Sequence, residues 1–298
     1  MPRRRSRYPN LVGHEERTDV TYQLIALDMD GTLLDSRKHV LPSSTAAIDR
    51  ALDAGRHVAI CSGRCPEMVE VSRAELGRIS YAICGSGTSL YSLDEQRLLW
   101  ETHLSHDALT RILEACEGED CLFEPFTGTS FYYERDALER MPGLGLGVYV
   151  EAYRASGRRA EDMRALLCDP ASRIQKLNVH FCSTAARAHV RELVSGLGVG
   201  LVDFEEASLE LSPVNANKGT GLLALADLLG IPREATIAVG DADNDLPMLE
   251  AAGLGVAMGN ANPRVLAAAD ARVADNDHDG VAEAISRFLL ANAEEVTR

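Results

Sequence analysis

Short apolar runs that end in polar, glycine-containing loops recur along the chain and alternate with stretches of helical repeat. Leu24-Ile25-Ala26-Leu27 stops at Asp28-Met29-Asp30-Gly31-Thr32. Periodicity does not separate strand from helix over four residues, but the brevity of the run and the glycine after it favour a strand. Pro42-Ser43-Ser44 leads Ala46, Ala47, Ile48, Ala51 and Leu52 to Gly55, which predicts a capped amphipathic helix with a glycine stop. His57–Cys61 reads as a second buried strand, ending at Ser62-Gly63-Arg64. After a helix over about 66–76, Tyr81–Cys84 reads as a third strand, ending in the small-residue loop Gly85-Ser86-Gly87-Thr88.

From about residue 90 the buried runs give way to mixed strands (Cys121–Phe126, Ser130–Tyr133, Lys176–Phe181) and helices (Asp107–Cys116, Arg158–Leu167, Ala185–Leu197), with a hairpin arm at Leu201–Leu211. This predicts an α+β module whose sheet is half exposed. The first texture resumes at Pro213. Asn215-Ala216-Asn217-Lys218-Gly219 opens a helix stopped by Gly230 and Pro232, and Thr236–Val239 is a strand ending at Gly240-Asp241-Ala242-Asp243-Asn244-Asp245. A short helix from Pro247 and a strand at Gly255–Met258 follow, then a helix from Pro263 and a last one over Val281–Leu290. The expected division is a polar tail over 1–21, an α/β core over 22–89 and 213–298, and an inserted unit over 90–212.

Composition narrows the function. The net charge of −15 argues against a nucleic-acid or anionic-membrane surface, so an anionic substrate needs a local cationic pocket. Seven cysteines without a paired framework predict buried free thiols in a reducing cytosol. No apolar stretch is long enough to span a bilayer. The basic start, Met1-Pro2-Arg3-Arg4-Arg5, is followed by polar residues rather than the apolar segment of a signal peptide.

Ligands of open α/β sheets sit beyond the carboxyl ends of the parallel strands. Three strand ends offer Asp28 with Asp30, Ser62, and Asp241 with Asn244 and Asp245, and a helix start offers Lys218. Alone, Asp28–Gly31 also reads as a polar turn, and Lys218 as a solvent-facing lysine. A cation at the positive end of a helix is electrostatically disfavoured, which points to an anion opposite it. Two carboxylates one residue apart repel unless a divalent cation with oxygen ligands holds them. The set suits phosphoryl transfer: a carboxylate nucleophile, a second carboxyl for protons, oxygen ligands for Mg²⁺, and a hydroxyl with an ammonium for the phosphate. Asp28 and Asp30 flank one phosphate if the chain between them stays extended. Asp275, Asp277 and Asp279 fail as a calcium loop because Ser286 stands where the bidentate Glu belongs. His103 and His106 have no acidic metalloprotease partner, and no nucleotide-binding phosphate loop occurs.

Asp-x-Asp-Gly-Thr-Leu (28–33), Ser-Gly-Arg (62–64), Lys-Gly (218–219) and Gly-Asp-x-x-Asn-Asp (240–245) resemble, in order, the four motifs of the haloacid dehalogenase superfamily, and most closely its Cof-type sugar-phosphatase branch. Met258-Gly259-Asn260-Ala261 and Asp279-Gly280-Val281 resemble that branch's closing segment, so the likeness spans about residues 22–290. It implies a three-layer, Rossmann-like parallel-sheet core with an inserted α+β cap. Asp28 is then the nucleophile forming an aspartyl-phosphate, and Asp30 the general acid and base. Mg²⁺ is held by the Asp28 carboxylate, the Asp30 carbonyl and Asp241. Ser62, the Gly63 amide, Lys218 and Asn244 bind phosphate, Asp245 orients Lys218 or a metal-bound water, and Arg64 orders the mouth or touches substrate. The expected reaction is Mg²⁺-dependent hydrolysis of small phosphomonoesters, a sugar phosphate or similar metabolite, in the cytosol and with neither nucleic acid nor membrane as partner. A sugar phosphomutase and a non-catalytic phosphometabolite-binding regulator are the alternatives. One departure stands out: Ser86-Gly87-Thr88 replaces the family's usual Asn-Gly-Ala, which puts that loop's contacts with substrate or cap hinge in doubt.

Overall fold

The structure is a computed structural model and describes residues 21–291. The tail expected over 1–21 lies outside them up to residue 20. Among the described residues the strands, in chain order, are β1 Leu24–Leu27, β2 His57–Cys61, β3 Tyr81–Cys84, β4 Ser89–Ser92, β5 Arg97–Glu101, β6 Cys121–Thr127, β7 Ser130–Tyr133, β8 Arg158–Arg159, β9 Ile174–Phe181, β10 Val199–Phe204, β11 Ser208–Pro213, β12 Thr236–Gly240, β13 Leu254–Ala257 and β14 Ala271–Arg272. They form an eight-stranded sheet in the order β14-β13-β12-β1-β2-β3-β4-β5 and a six-stranded sheet in the order β10-β11-β9-β6-β7-β8.

The first sheet is parallel from β14 to β3 and antiparallel over β4 and β5. Side chains alternate across a strand, so β1 sends Ile25 and Leu27 to one face and Leu24 and Ala26 to the other. The first pair packs with Ala47, Ile48, Val69 and Ile285. The second packs with Leu222, Leu225 and Met248. Helices thus cover both faces, as a sheet of near-continuous apolar strands requires. Each fully buried leucine or isoleucine contributes roughly 1.5–3 kcal/mol.

Several expectations are corrected. The change of texture at residue 90 falls inside the first sheet, because β4 and β5 form a hairpin that extends it past β3. The chain leaves that sheet only after Glu101. The helix Pro42–Asp53 begins with a proline whose fixed φ suits the first turn, and no side chain caps it. The helix expected over 66–76 breaks into Pro66–Glu70 and Arg73–Leu76. Arg158–Leu167 divides into the short β8 and a helix over Met163–Cys168. Of the seven unpaired cysteines five are buried, while Cys168 is half-buried and Cys182 exposed.

The largest correction concerns the second sheet, whose polar face is not exposed. All eight residues of β9 are buried. Leu177, Val179 and Phe181 enter the inserted unit's own core, while Lys176, Asn178 and His180 are buried with no place in it. At the Lys176 end that polar face meets the core loop at Gly63 and Ser86.

Candidate active site

Parallel pairing of β1 with both β2 and β12 brings Asp28, Ser62 and Asp241 to one sheet edge. The Asp28 amide continues the ladder by donating to the Val239 carbonyl (3.1 Å). The chain then turns sharply: the Leu33 amide donates to the Asp28 carbonyl, and the Thr32 and Leu34 amides to that of Met29. Gly31, at φ +85°, makes the turn possible. A Cβ there would lie 2.4 Å from Asp241 Oδ2, so only glycine lets the loop close onto that carboxylate.

The fourth group arrives on a helix. Asn217 caps Lys218–Leu229 by accepting from the Thr220 amide, and Thr220 Oγ1 accepts in turn from the Asn217 amide. The helix start fits against Gly87, where a Cβ would meet the Asn217 carbonyl oxygen at 1.9 Å. Lys218, 1% exposed, donates from Nζ to Asp28 Oδ1 (2.5 Å) and Asp245 Oδ1 (2.6 Å). The anion opposite this helix start is therefore the protein's own pair of carboxylates. Asp245 Oδ2 accepts from the Asp241 and Ala242 amides, so both its oxygens are engaged and it orients Lys218. Asp241 Oδ1 accepts from Thr32 Oγ1 (2.8 Å).

Oxygens of Asp28, Asp241 and Asp245 lie within 4.8 Å of one another. Burial first, then Asp245 and Asp241, raise the Asp28 carboxyl to about 7 against the pull of Lys218. Burial foremost also raises Asp241, with Asp245 and Asp30 adding to it. Burial opposes the charge on Lys218, but Asp28 and Asp245 outweigh it and raise its pKa. Carboxylates outnumber the single ammonium in this largely buried cluster, and the hard oxygen donors match Mg²⁺. The residues fit that ion, with Asp241 offering the oxygen that Thr32 does not occupy and the Asp28 carboxylate standing beside it.

Two expected members stand apart. Because the chain turns after Asp28, the Asp30 carboxylate does not join the set. Its side chain is 44% exposed and bridges to Arg64, through Nη2 (2.9 Å) and Nε (3.2 Å), and to Lys38 Nζ (2.7 Å). Burial would raise its pKa, yet Arg64 and then Lys38 outweigh burial and hold it below the ordinary range. The partner of Arg64 in this structure is thus Asp30. Asn244 is exposed and joins none of the hydrogen bonds above. Ser62 is buried, with Oγ accepting from the Arg64 amide (3.3 Å).

Several groups around this edge carry no role in the sequence reading. Lys38 and Thr32 are two. Asn260 Nδ2 braces the first loop by donating to the Gly31 carbonyl (2.8 Å), and Asn276 Nδ2 does so at that of Leu34. From the second sheet, Lys176 Nζ donates to the Gly63 carbonyl (3.0 Å) and to Glu210 Oε2 (2.9 Å). Ser86 Oγ donates to that same Glu210 oxygen (3.1 Å). The replaced loop residue therefore does contact the inserted unit, through a hydroxyl. The available signal was the alternation Lys176-x-Asn178-x-His180 on a strand.

Residues 25–285 match the model of the haloacid dehalogenase-like hydrolase family. The chain is 32% identical over 285 residues to the phosphatase YwpJ of Bacillus subtilis, covering 90% of this chain and all of YwpJ. It is 29% identical over 285 residues to the pyridoxal phosphate phosphatase YbhA of Escherichia coli, covering 91% of this chain and all of YbhA. A solved haloacid dehalogenase-like hydrolase from B. subtilis superposes with a TM-score of 0.76 at 30% identity, over 90% of this chain and 100% of that one. No helix among the described residues is long and apolar enough to cross a membrane. With four motifs gathered at one sheet edge and relatives matched along their whole length, the chain belongs to the haloacid dehalogenase-like hydrolases and is an enzyme of their phosphatase type.

Proposed function

We propose that the chain is an Mg²⁺-dependent phosphatase that hydrolyses small phosphomonoesters, a sugar phosphate or similar polar metabolite, through a phosphorylated Asp28. The observation that carries the reading is the buried bridge of Lys218 to both Asp28 and Asp245. It holds Asp28 by Oδ1 and leaves Oδ2 to attack. That oxygen bonds to phosphorus as the ester P–O bond breaks, and Asp30 gives the leaving oxygen its proton. Asp30 then takes a proton from the water that attacks the aspartyl-phosphate, restoring the Asp28 carboxylate and releasing phosphate. Asp30 stands ionised between Arg64 and Lys38, and the incoming phosphate competes for those cations, which favours the protonated form that the first step needs.

Ser62, the Gly63 amide, Lys218 and Asn244 bind the phosphoryl oxygens in this scheme. Asn244 is solvent-facing here, so its part in the scheme requires it to turn inward when phosphate binds. Mg²⁺, held by Asp28, Asp241 and the Asp30 carbonyl, would supply the charge that lets an anion approach an anion. The inserted unit acts as the cap that excludes water and contacts the leaving group, and a cytosolic location suits the unpaired thiols. The reading is tested by phosphate release from a panel of phosphomonoesters with and without Mg²⁺. Asp28→Asn is expected to abolish release. Full Mg²⁺-dependent activity in that variant would contradict the assignment, and turnover only in the presence of a bisphosphate would favour a mutase.

A further inference from the structure

Asn178 lies at the middle of the buried polar face of the second sheet. Register places Glu124 of β6 opposite it on one side and Glu210 of β11 on the other. Its Nδ2 donates to Glu124 Oε2 (2.7 Å), which fixes the amide's orientation because a carboxylate meets only its donor end. The acceptor end, Oδ1, is buried without a hydrogen-bond partner, in a residue only 5% exposed. Such an atom costs free energy until a donor reaches it. Both carboxylates beside it are acceptors too. Glu124 also takes His180 Nε2 (3.3 Å), and the partners of Glu210, Lys176 and Ser86, both use Oε2.

This face adjoins the catalytic edge. Lys176 is two residues from Asn178 on the same face, roughly 7 Å along the strand, and its Nζ reaches the carbonyl of Gly63. A phosphate at Ser62 and Gly63 therefore sits beside this face, on the side from which the cap contacts a leaving group.

We propose that Asn178 Oδ1 accepts a hydrogen bond from an O–H or N–H group of the leaving group, which makes the enzyme selective for phosphomonoesters of polyhydroxy or amino compounds over those of apolar alcohols. The inference rests on the phosphatase reading above and adds a specificity-determining residue to it. A buried acceptor that must be met rejects an analogue lacking the donor more strongly than an apolar wall rejects an added hydroxyl.

The test compares phosphate release from myo-inositol 1-phosphate and cyclohexyl phosphate, which share a ring and differ in its hydroxyls, with p-nitrophenyl phosphate as an apolar control. The native enzyme is expected to favour the inositol ester in kcat/KM by about tenfold or more. Asn178→Leu, close to isosteric, is expected to lower kcat/KM for the inositol ester by at least about tenfold and to leave p-nitrophenyl phosphate within about twofold. Equal loss on both esters, or no change on either, overturns the proposal. Should the variant not fold, the native ratio decides alone, and a ratio near one overturns it. Inactivity of the native enzyme on every ester with Mg²⁺ ends the phosphatase reading and this inference with it, whereas activity without selectivity ends the inference only.

Discussion

Lys218 ties the first and last motifs of the site together. Its ammonium is buried between two carboxylates at a helix start where charge alone disfavours it. Lys218→Met removes the cation and leaves Asp28 and Asp245 buried and unpaired. The expected cost is about 3–5 kcal/mol in chemical denaturation, together with a fall in kcat of roughly 10²-fold or more. Asp28 yields a second expectation. Its folded pKa is about 7 against an ordinary value of 3.8, so between those values the metal-free folded chain holds a proton that the unfolded chain has lost. Stability contributed by Asp28 is therefore greatest at the acid end of that window and falls as pH rises through it. Thermal melts of the metal-free protein across the window, compared with Asp28→Asn, are expected to show this component in the native chain alone. A component of the same size in the variant would assign it to other groups.

Among the elements, β9 joins structure to function. Lys176 Nζ binds both the Gly63 carbonyl and Glu210, and Ser86 completes the link. It thus holds the loop proposed to bind phosphate from the side of the inserted unit. Lys176→Met keeps an unbranched apolar stem but loses the donor, and with it the ammonium that sits 4.3 Å from the Phe126 ring centroid. We expect KM for phosphomonoesters to rise about tenfold, with the α/β circular dichroism spectrum unchanged and a smaller effect from Ser86→Ala. An unchanged KM would show that the link leaves phosphate binding untouched. This element was also where sequence was hardest to read. Lys176, Asn178 and His180 alternate with apolar neighbours as an exposed strand face does, and the pattern is the same whether water or another unit lies opposite. In sequence the β4–β5 hairpin reads as part of the insertion for a related reason: antiparallel edge strands carry the mixed polarity of a half-covered sheet. The strands that end at Asp28, Ser62 and Asp241 were legible because buried parallel strands are apolar throughout and each stops at a marked loop. The position of Asp30 depended on a turn closed by backbone bonds, which residue spacing does not encode.

Over the whole molecule, a net charge of −15 contrasts with the four cations, Lys38, Arg64, Lys176 and Lys218, that gather where the core and the inserted unit meet. Each is paired with a carboxylate or a backbone carbonyl, so the site is pre-organised for an anion without being a free cationic patch. The arrangement accounts for how an acidic protein receives a phosphate ester. Groups as far apart in sequence as Asp28 and Asp245 meet at a single sheet edge because the chain leaves the first sheet, builds a second, and returns to add β12 beside β1. This convergence is expected to make Asp28 the group that takes up the phosphoryl during turnover. That role is tested most directly by rapid acid quench of a single turnover with Mg²⁺ and a phosphomonoester that the enzyme hydrolyses, followed by peptide mass mapping. A transient phosphoryl adduct on Asp28 is the expected result. Phosphate released in that turnover with no adduct at any time, or with the adduct on another residue, would contradict the account.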